Sequence, residues 1–129
     1  MGPITDKVAT AERLPQETKV AIIGGGVIGV STALFLAERG IPVALFEKGE
    51  IAGEQSSRNW GWCRRTGRDS REMPLIVESM RLWDGMNEFV GRETGFRVTG
   101  IAYTAEKEEE VDRYAEWIKI ASEHGIETQ

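Results

Sequence analysis

Apolar residues in this chain gather into short dense runs near the amino end and into helical stripes further on. Residues 1–17 are polar, with Pro3 and Pro15 among them, and are expected to form a mobile leader. Residues 18–23 have the valine and isoleucine density of a short buried strand. A glycine turn follows. Residues 27–39 are then expected to be helical, with Val30, Ala33, Leu34 and Ala37 on one face at i, i+3, i+4 and i+7. Gly40 stands where helices commonly stop. Residues 42–46 make a second apolar run, ending at Glu47. Strand, helix and strand within about thirty residues form a βαβ unit, whose strands should lie parallel with a right-handed crossover.

The pattern changes after Lys48. Residues 48–68 contain glycines and show no clear period; loops of this length inside compact domains are usually functional or disordered. Asp69 and Glu72 have the spacing of a capping box, and Pro74 suits a first helical turn. From there to residue 90, a broad stripe of Ile76, Met80 and Trp83, flanked by Leu75, Leu82, Met86 and Phe89, predicts a helix packed on a neighbour. Residues 96–103 read as a strand with Gly100 as a bulge. Thr104 is expected to cap a last helix that buries Val111, Tyr114, Ala115 and Ile118, with Glu109 and Arg113 as an i,i+4 pair. Gly125 ends it, and His124 is expected to serve its C-terminal dipole. The acidic run 106–110 reads as a solvated first turn with no ligand role.

Composition narrows the classes. The chain has 129 residues, enough for one modest domain, and a formal net charge of −5, so the whole molecule does not attract nucleic acid or anionic lipid at long range. Residues 20–37 carry no charge and nominally suffice for a membrane span, but Gly24, Gly25, Gly26 and Gly29 interrupt them. A strand, a turn and a helix explain that segment better. Cys63 is the only cysteine and His124 the only histidine, so no intrachain disulfide and no metal site are expected. A lone thiol fits a cytoplasmic protein.

The candidate chemistry lies in the turn. Gly24-Gly25-Gly26-Val27-Ile28-Gly29 is a G-x-G-x-x-G that follows a predicted strand and opens a predicted helix. Gly24 permits the turn, Gly26 lets a pyrophosphate approach the backbone, and Gly29 lets the helix sit close on the sheet. The open N–H groups and positive dipole of the helix start then meet phosphate charge. Glu47 stands about twenty residues further on, at the end of the second strand, where a carboxylate accepts hydrogen bonds from an adenosine ribose and repels a 2′-phosphate.

This motif alone does not separate NAD from FAD. The loop 53–62, with Ser56, Ser57, Arg58 and Asn59 followed by Trp60, Gly61 and Trp62, is dense in donors that suit a pyrophosphate and a ribityl chain; its tryptophans suit a flat ring system. The segment 20–47 followed by Ser-Ser-Arg-Asn-x-Gly resembles the amino end of the D-amino acid oxidase superfamily of FAD-dependent oxidoreductases. Residues 78–83 and the run Thr99-Gly100-Ile101 resemble the next helix and strand in that group. The resemblance implies an α/β fold, a Rossmann-like βαβ FAD-binding unit running into the start of a substrate-domain sheet. It divides the chain into the leader, an FAD-binding part at 18–92 and the beginning of a substrate domain at 93–129.

By the same resemblance, Gly24, Gly26, Val27, Ile28 and Gly29 would surround the FAD pyrophosphate, and Glu47 with Lys48 beside it would hold the adenosine ribose. Ser56, Ser57, Arg58 and Asn59 would line the pyrophosphate and ribityl, while Trp60, Gly61 and Trp62 would approach the isoalloxazine. Many members have paired glycines after the Asn; here two tryptophans flank Gly61. Some members attach flavin through His or Cys; this loop has no His, and Cys63 reads as a small thiol. Trp62 and Arg64 are candidates to face the flavin ring. No catalytic residue is assigned.

The implied reaction is oxidation of the C–N bond of an amino acid or amine by hydride transfer to flavin. Two alternatives stand beside it: a fragment of an NAD-dependent dehydrogenase, and a non-catalytic interaction subunit that keeps the dinucleotide fold. Arg58, Arg64, Arg65, Arg68 and Arg71 form a basic cluster around Trp60 and Trp62, yet no nucleic-acid recognition motif accompanies it. An open dinucleotide fold needs more parallel strands than these two. The chain is therefore expected to be a fragment, a truncated product or one piece of a split protein, whose partner is the missing polypeptide. Weak or no retention of FAD by the isolated chain is expected on the same ground.

Overall fold

In a computed structural model, residues 5–128 are described and the chain divides into two compact units between Trp62 and Cys63. Residues 1–4, the first part of the expected leader, lie outside the described residues, and 5–19 contain no helix or strand.

The first unit is built on β1 (Val20–Ile23), α1 (Val27–Glu38) and β2 (Val43–Phe46). The strands pair in parallel, Val20 opposite Val43 through to Ile23 opposite Phe46. Thr18 fixes one end by donating its hydroxyl to the Pro42 carbonyl at 3.0 Å, and the Gly24 amide extends the ladder to the Phe46 carbonyl at 2.8 Å. The end of α1 returns the chain to the sheet: Gly40 N–H donates to the Ala37 carbonyl at 2.8 Å and Ile41 N–H to that of Leu36 at 3.0 Å. This reciprocal pair satisfies carbonyls that a helix end leaves open, and β2 begins two residues later. Of the expected α1 stripe, Ala33 and Leu34 are half-buried, whereas Val30 and Ala37 are exposed. The helix is apolar nearly all round, and two strands cover only one side of it.

The second unit is helical. A 3₁₀ turn at Ser70–Glu72 leads into α2 (Met73–Asp84), then α3 (Met86–Val90) and α4 (Glu108–Glu123). The expected capping box forms only in part. Asp69 accepts from the Arg71 amide at 2.9 Å and so caps the 3₁₀ turn, while Glu72 precedes α2 without returning a side-chain bond. The helix expected up to residue 90 breaks at Gly85, a poor helix former. Met73 is fully buried and packs with Trp117, Ala121 and Ile126; Ile76, Val77 and Ile120 lie against that cluster.

Two expectations fail in this unit. Residues 96–103 form no strand, because no second backbone pairs with them among the described residues. Their aromatic ends engage side chains instead, Phe96 stacking on Trp83 and Tyr103 meeting Tyr114. The last helix starts at Glu108, not after Thr104, and turns a different face inward: Trp117 and Ala121 are buried, while Val111, Ala115 and Ile118 are exposed. Tyr114 is half-buried on the inward side. Arg113 pairs with Glu110 at 3.7 Å instead of Glu109. At the helix end, Gly125 takes φ +67°, and Ile126 N–H donates to the Ala121 carbonyl at 2.9 Å. That left-handed residue swings Ile126 back into the core.

Candidate cofactor site

The site sits where β1 gives way to α1. Gly24, at φ +105°, makes the turn. A side chain on Gly29 would run into the Gly24 carbonyl oxygen and reach 3.3 Å from the Ile22 methyl, so only glycine lets α1 start this close to the strand. Gly25 is similarly enclosed, its Cβ direction blocked by Ile51 and Glu47. The loop beyond β2 fastens onto the turn where the Ala52 amide donates to the Gly25 carbonyl at 2.8 Å.

Glu47 is the second fastening. Its Oε2 accepts from the Gly25 amide at 2.7 Å and its Oε1 from the Gly49 amide at 2.8 Å. These bonds, the Gly25 amide foremost, then Gly49 and the Lys48 amide and charge, hold the carboxyl below the usual glutamate range. Glu47 is therefore anionic at neutral pH, with lone pairs left over for further donors.

The start of α1 is open. The Val30 amide reaches the Gly26 carbonyl at 2.9 Å and the Val27 amide donates to Ser56 Oγ at 2.8 Å, but the amides of Ile28 and Gly29 meet no acceptor among the described residues. No acidic side chain occupies the first turn. A cavity of about 480 Å³ opens here. Gly24, Gly26, Val27, Ile28 and Gly29 line it from the turn, and Ser56 and Asn59 from the loop. These seven sequence-derived candidates share one space. Glu47, Lys48, Ser57, Arg58, Trp60, Gly61 and Trp62 do not line it. Gln55, Thr32, Ile22 and Ile23 also line it. Gln55 lies in the donor-rich loop; the other three had no chemical signature that would single them out.

The loop candidates separate by how their polar atoms are used. Ser57 donates its hydroxyl to the Glu54 carbonyl at 3.1 Å, and Arg58 forms an exposed ion pair with Glu54 at 3.1 Å. Asn59 bonds within the loop through both ends of its amide. Trp60 and Trp62 meet edge to face at 5.6 Å, both exposed, on either side of Gly61. In the second unit, Arg64 donates to the Thr66 carbonyl and Arg71 pairs with Asp69, so the basic cluster is partly spent on local contacts.

This donor set fits an adenine dinucleotide: open amides at a helix start, a glycine-lined approach and no acid within the first turn of α1. Residues 19–129 match the DAO family of FAD-dependent oxidoreductases. The chain belongs to that family. Its cofactor is FAD, and the α/β, Rossmann-like βαβ unit is the amino-terminal FAD-binding part of such structures. L-amino acid deaminase from Proteus myxofaciens is 41% identical, with a TM-score of 0.84 over 95% of this chain and 27% of that one. L-amino acid deaminase from Proteus vulgaris is 33% identical, with a TM-score of 0.82 over 94% of this chain and 28% of its own. Glycine oxidase from Geobacillus kaustophilus is 35% identical over 100 residues, 72% of this chain and 26% of its own. The chain thus spans about a quarter of the length of these relatives. Among the described residues, no helix is long and apolar enough to cross a membrane, and no group of three or more His, Cys, Asp or Glu side chains could hold a metal.

Proposed function

We propose that this chain is the FAD-binding amino-terminal part of an oxidoreductase that oxidises the C–N bond of an amino acid or amine. One observation carries the reading: the amides of Ile28 and Gly29, without an acceptor among the described residues, stand beside the cavity that Gly24, Gly26 and Ser56 line, in a first helical turn without acidic side chains. Two such amides, with the helix dipole behind them, suit a pyrophosphate. Glu47 and Lys48 would hold the adenosine ribose. Gly26, Val27 and Ser56 would border the phosphates, Ser57, Arg58 and Asn59 the ribityl side, and Trp60, Gly61 and Trp62 the ring system. When bound, the flavin supplies the hydride acceptor; this chain's residues bind and orient it.

The relatives named for glycine and L-amino acids support an amino acid as substrate. In this reading residues 18–92 belong to the FAD-binding domain and 93–129 begin the substrate domain, completed by further polypeptide or a partner subunit. The single exposed thiol, Cys63, fits a reducing compartment such as the cytoplasm. The test is a visible absorption titration of the chain with FAD and, separately, with NAD. Any binding should favour FAD over NAD, and Glu47→Ala should weaken it by about tenfold, the equivalent of one charge-assisted hydrogen bond. Binding of NAD in preference to FAD would overturn the reading.

A further inference from the structure

Asn59 lines the cavity, yet both of its amide protons are committed elsewhere. Its Nδ2 donates to the Ser56 carbonyl at 2.7 Å and to the Gln55 carbonyl at 3.3 Å, while its Oδ1 accepts from the Gly61 amide at 2.6 Å. An asparagine amide has two N–H donors, so none is left for a ligand. The side chain spans the turn Gln55–Ser57 on one side and the bend at Gly61 on the other.

Ser56, which Asn59 holds by its carbonyl, has the opposite character. Its Oγ accepts from the Val27 amide at 2.8 Å. A hydroxyl oxygen that receives an N–H must direct its own O–H elsewhere, and no acceptor takes that proton among the described residues. Gly26 leaves room for this: a Cβ there would lie 3.0 Å from the Ser56 oxygen. The neighbouring Ser57 spends its proton on the Glu54 carbonyl. Of two adjacent serines, only Ser56 keeps a donor facing the cavity.

Resting on the reading of this turn as a phosphate site, we propose that Asn59 is a positioning residue acting through Ser56. By locking the loop it keeps the Ser56 hydroxyl seated on the Val27 amide, which turns one amide donor of α1 into an O–H donor offered to the cofactor phosphate. Asn59 itself touches no phosphate.

The test is amide hydrogen exchange of the 129-residue chain without flavin, read at Val27, with Val20 as reference because its amide donates to the Pro42 carbonyl just before β2. Ser56→Ala and Asn59→Ala should each speed Val27 exchange by about tenfold, the equivalent of one hydrogen bond. The double variant should exchange no faster than Ser56→Ala alone, since both act on one contact. Asn59→Asp, which sets a carboxylate against two carbonyls but keeps an acceptor for Gly61, should speed Val27 and spare Gly61. In FAD titrations the same non-additivity should recur. A Val27 rate untouched by Asn59→Ala, an unprotected Val27 in the parent chain, or additive effects would each overturn the proposal. Exchange is read without cofactor, so it decides the role of Asn59 even if the isolated chain retains no FAD, whereas a preference for NAD would sink the proposed function instead.

Discussion

The strand β1 and the segment 96–103 begin from similar sequence and end differently. Both are short, apolar and rich in residues that favour extended backbone. β1 finds β2 within the same unit, and every position from Val20 to Ile23 faces a partner. The 96–103 segment finds partners only for its side chains, Phe96 on Trp83 and Tyr103 on Tyr114. Apolar density therefore foretells that side chains will be covered. A strand needs in addition a second backbone whose donors and acceptors are free. The first unit is organised by backbone geometry around a turn, and the second by side chains around Trp117.

That contrast is sharpest where the two kinds of organisation are removed. Trp117→Ala takes out the largest member of the cluster that joins Met73, Ala121 and Ile126. It should cost the second unit about 4 kcal/mol, read as a lowered urea midpoint by helical circular dichroism. A loss below about 1 kcal/mol would show that side-chain packing is not what holds that unit. Gly29→Ala tests the first unit. The added methyl meets the Gly24 carbonyl oxygen, a backbone atom that cannot yield without moving the turn. The expected cost is about 2 kcal/mol by denaturation, with a matching loss of FAD affinity.

How much of this was legible in the sequence obeys the same division. The glycine turn could be read because its spacing answers to the chain's own sterics: Gly29 must be small owing to Gly24, five residues away. Both helix ends at Gly40 and Gly125 could be read for the same local reason. The inward face of α4 could not. Val111, Ala115 and Ile118 make one apolar row and Tyr114, Trp117 and Ala121 another beside it, and only the shape of α2 decides between them. In the loop, the residue types announced donors, but their use depended on neighbours. Ser57 and Asn59 give their side-chain protons to carbonyls of the loop itself, while Ser56 keeps its own. The expected domain limit between 92 and 93 rests on resemblance alone.

A smaller effect is expected at Gly125. It holds φ +67° and passes Ile126 into the core, so it couples backbone geometry to side-chain packing in the unit otherwise ruled by packing. Gly125→Ala should cost about 1 kcal/mol through left-handed strain alone, since nothing lies near its Cβ direction. Thermal unfolding would measure it. A loss as large as that of Trp117→Ala would mean that the turn, not the tryptophan, organises α4.

The smallest effect concerns charge and returns to the turn. Glu47 accepts from the Gly25 and Gly49 amides, with Lys48 adding its charge, and its carboxyl is held below the ordinary value. A group whose pKa is lowered on folding contributes stability that is fully present above the unfolded value and is lost as pH falls through the folded one. The Glu47 contribution should therefore be constant at neutral pH and fade only in the acid range, below the normal glutamate titration. The Gly25 amide resonance, followed by NMR as pH is lowered, should shift with that low midpoint, and Glu47→Gln should abolish the shift. A midpoint at or above the ordinary glutamate value would show that the carboxylate does not bind the turn. The turn would then owe its geometry to the glycines and their backbone bonds, and the comparison with the packed second unit would have to be drawn without the Glu47 fastening.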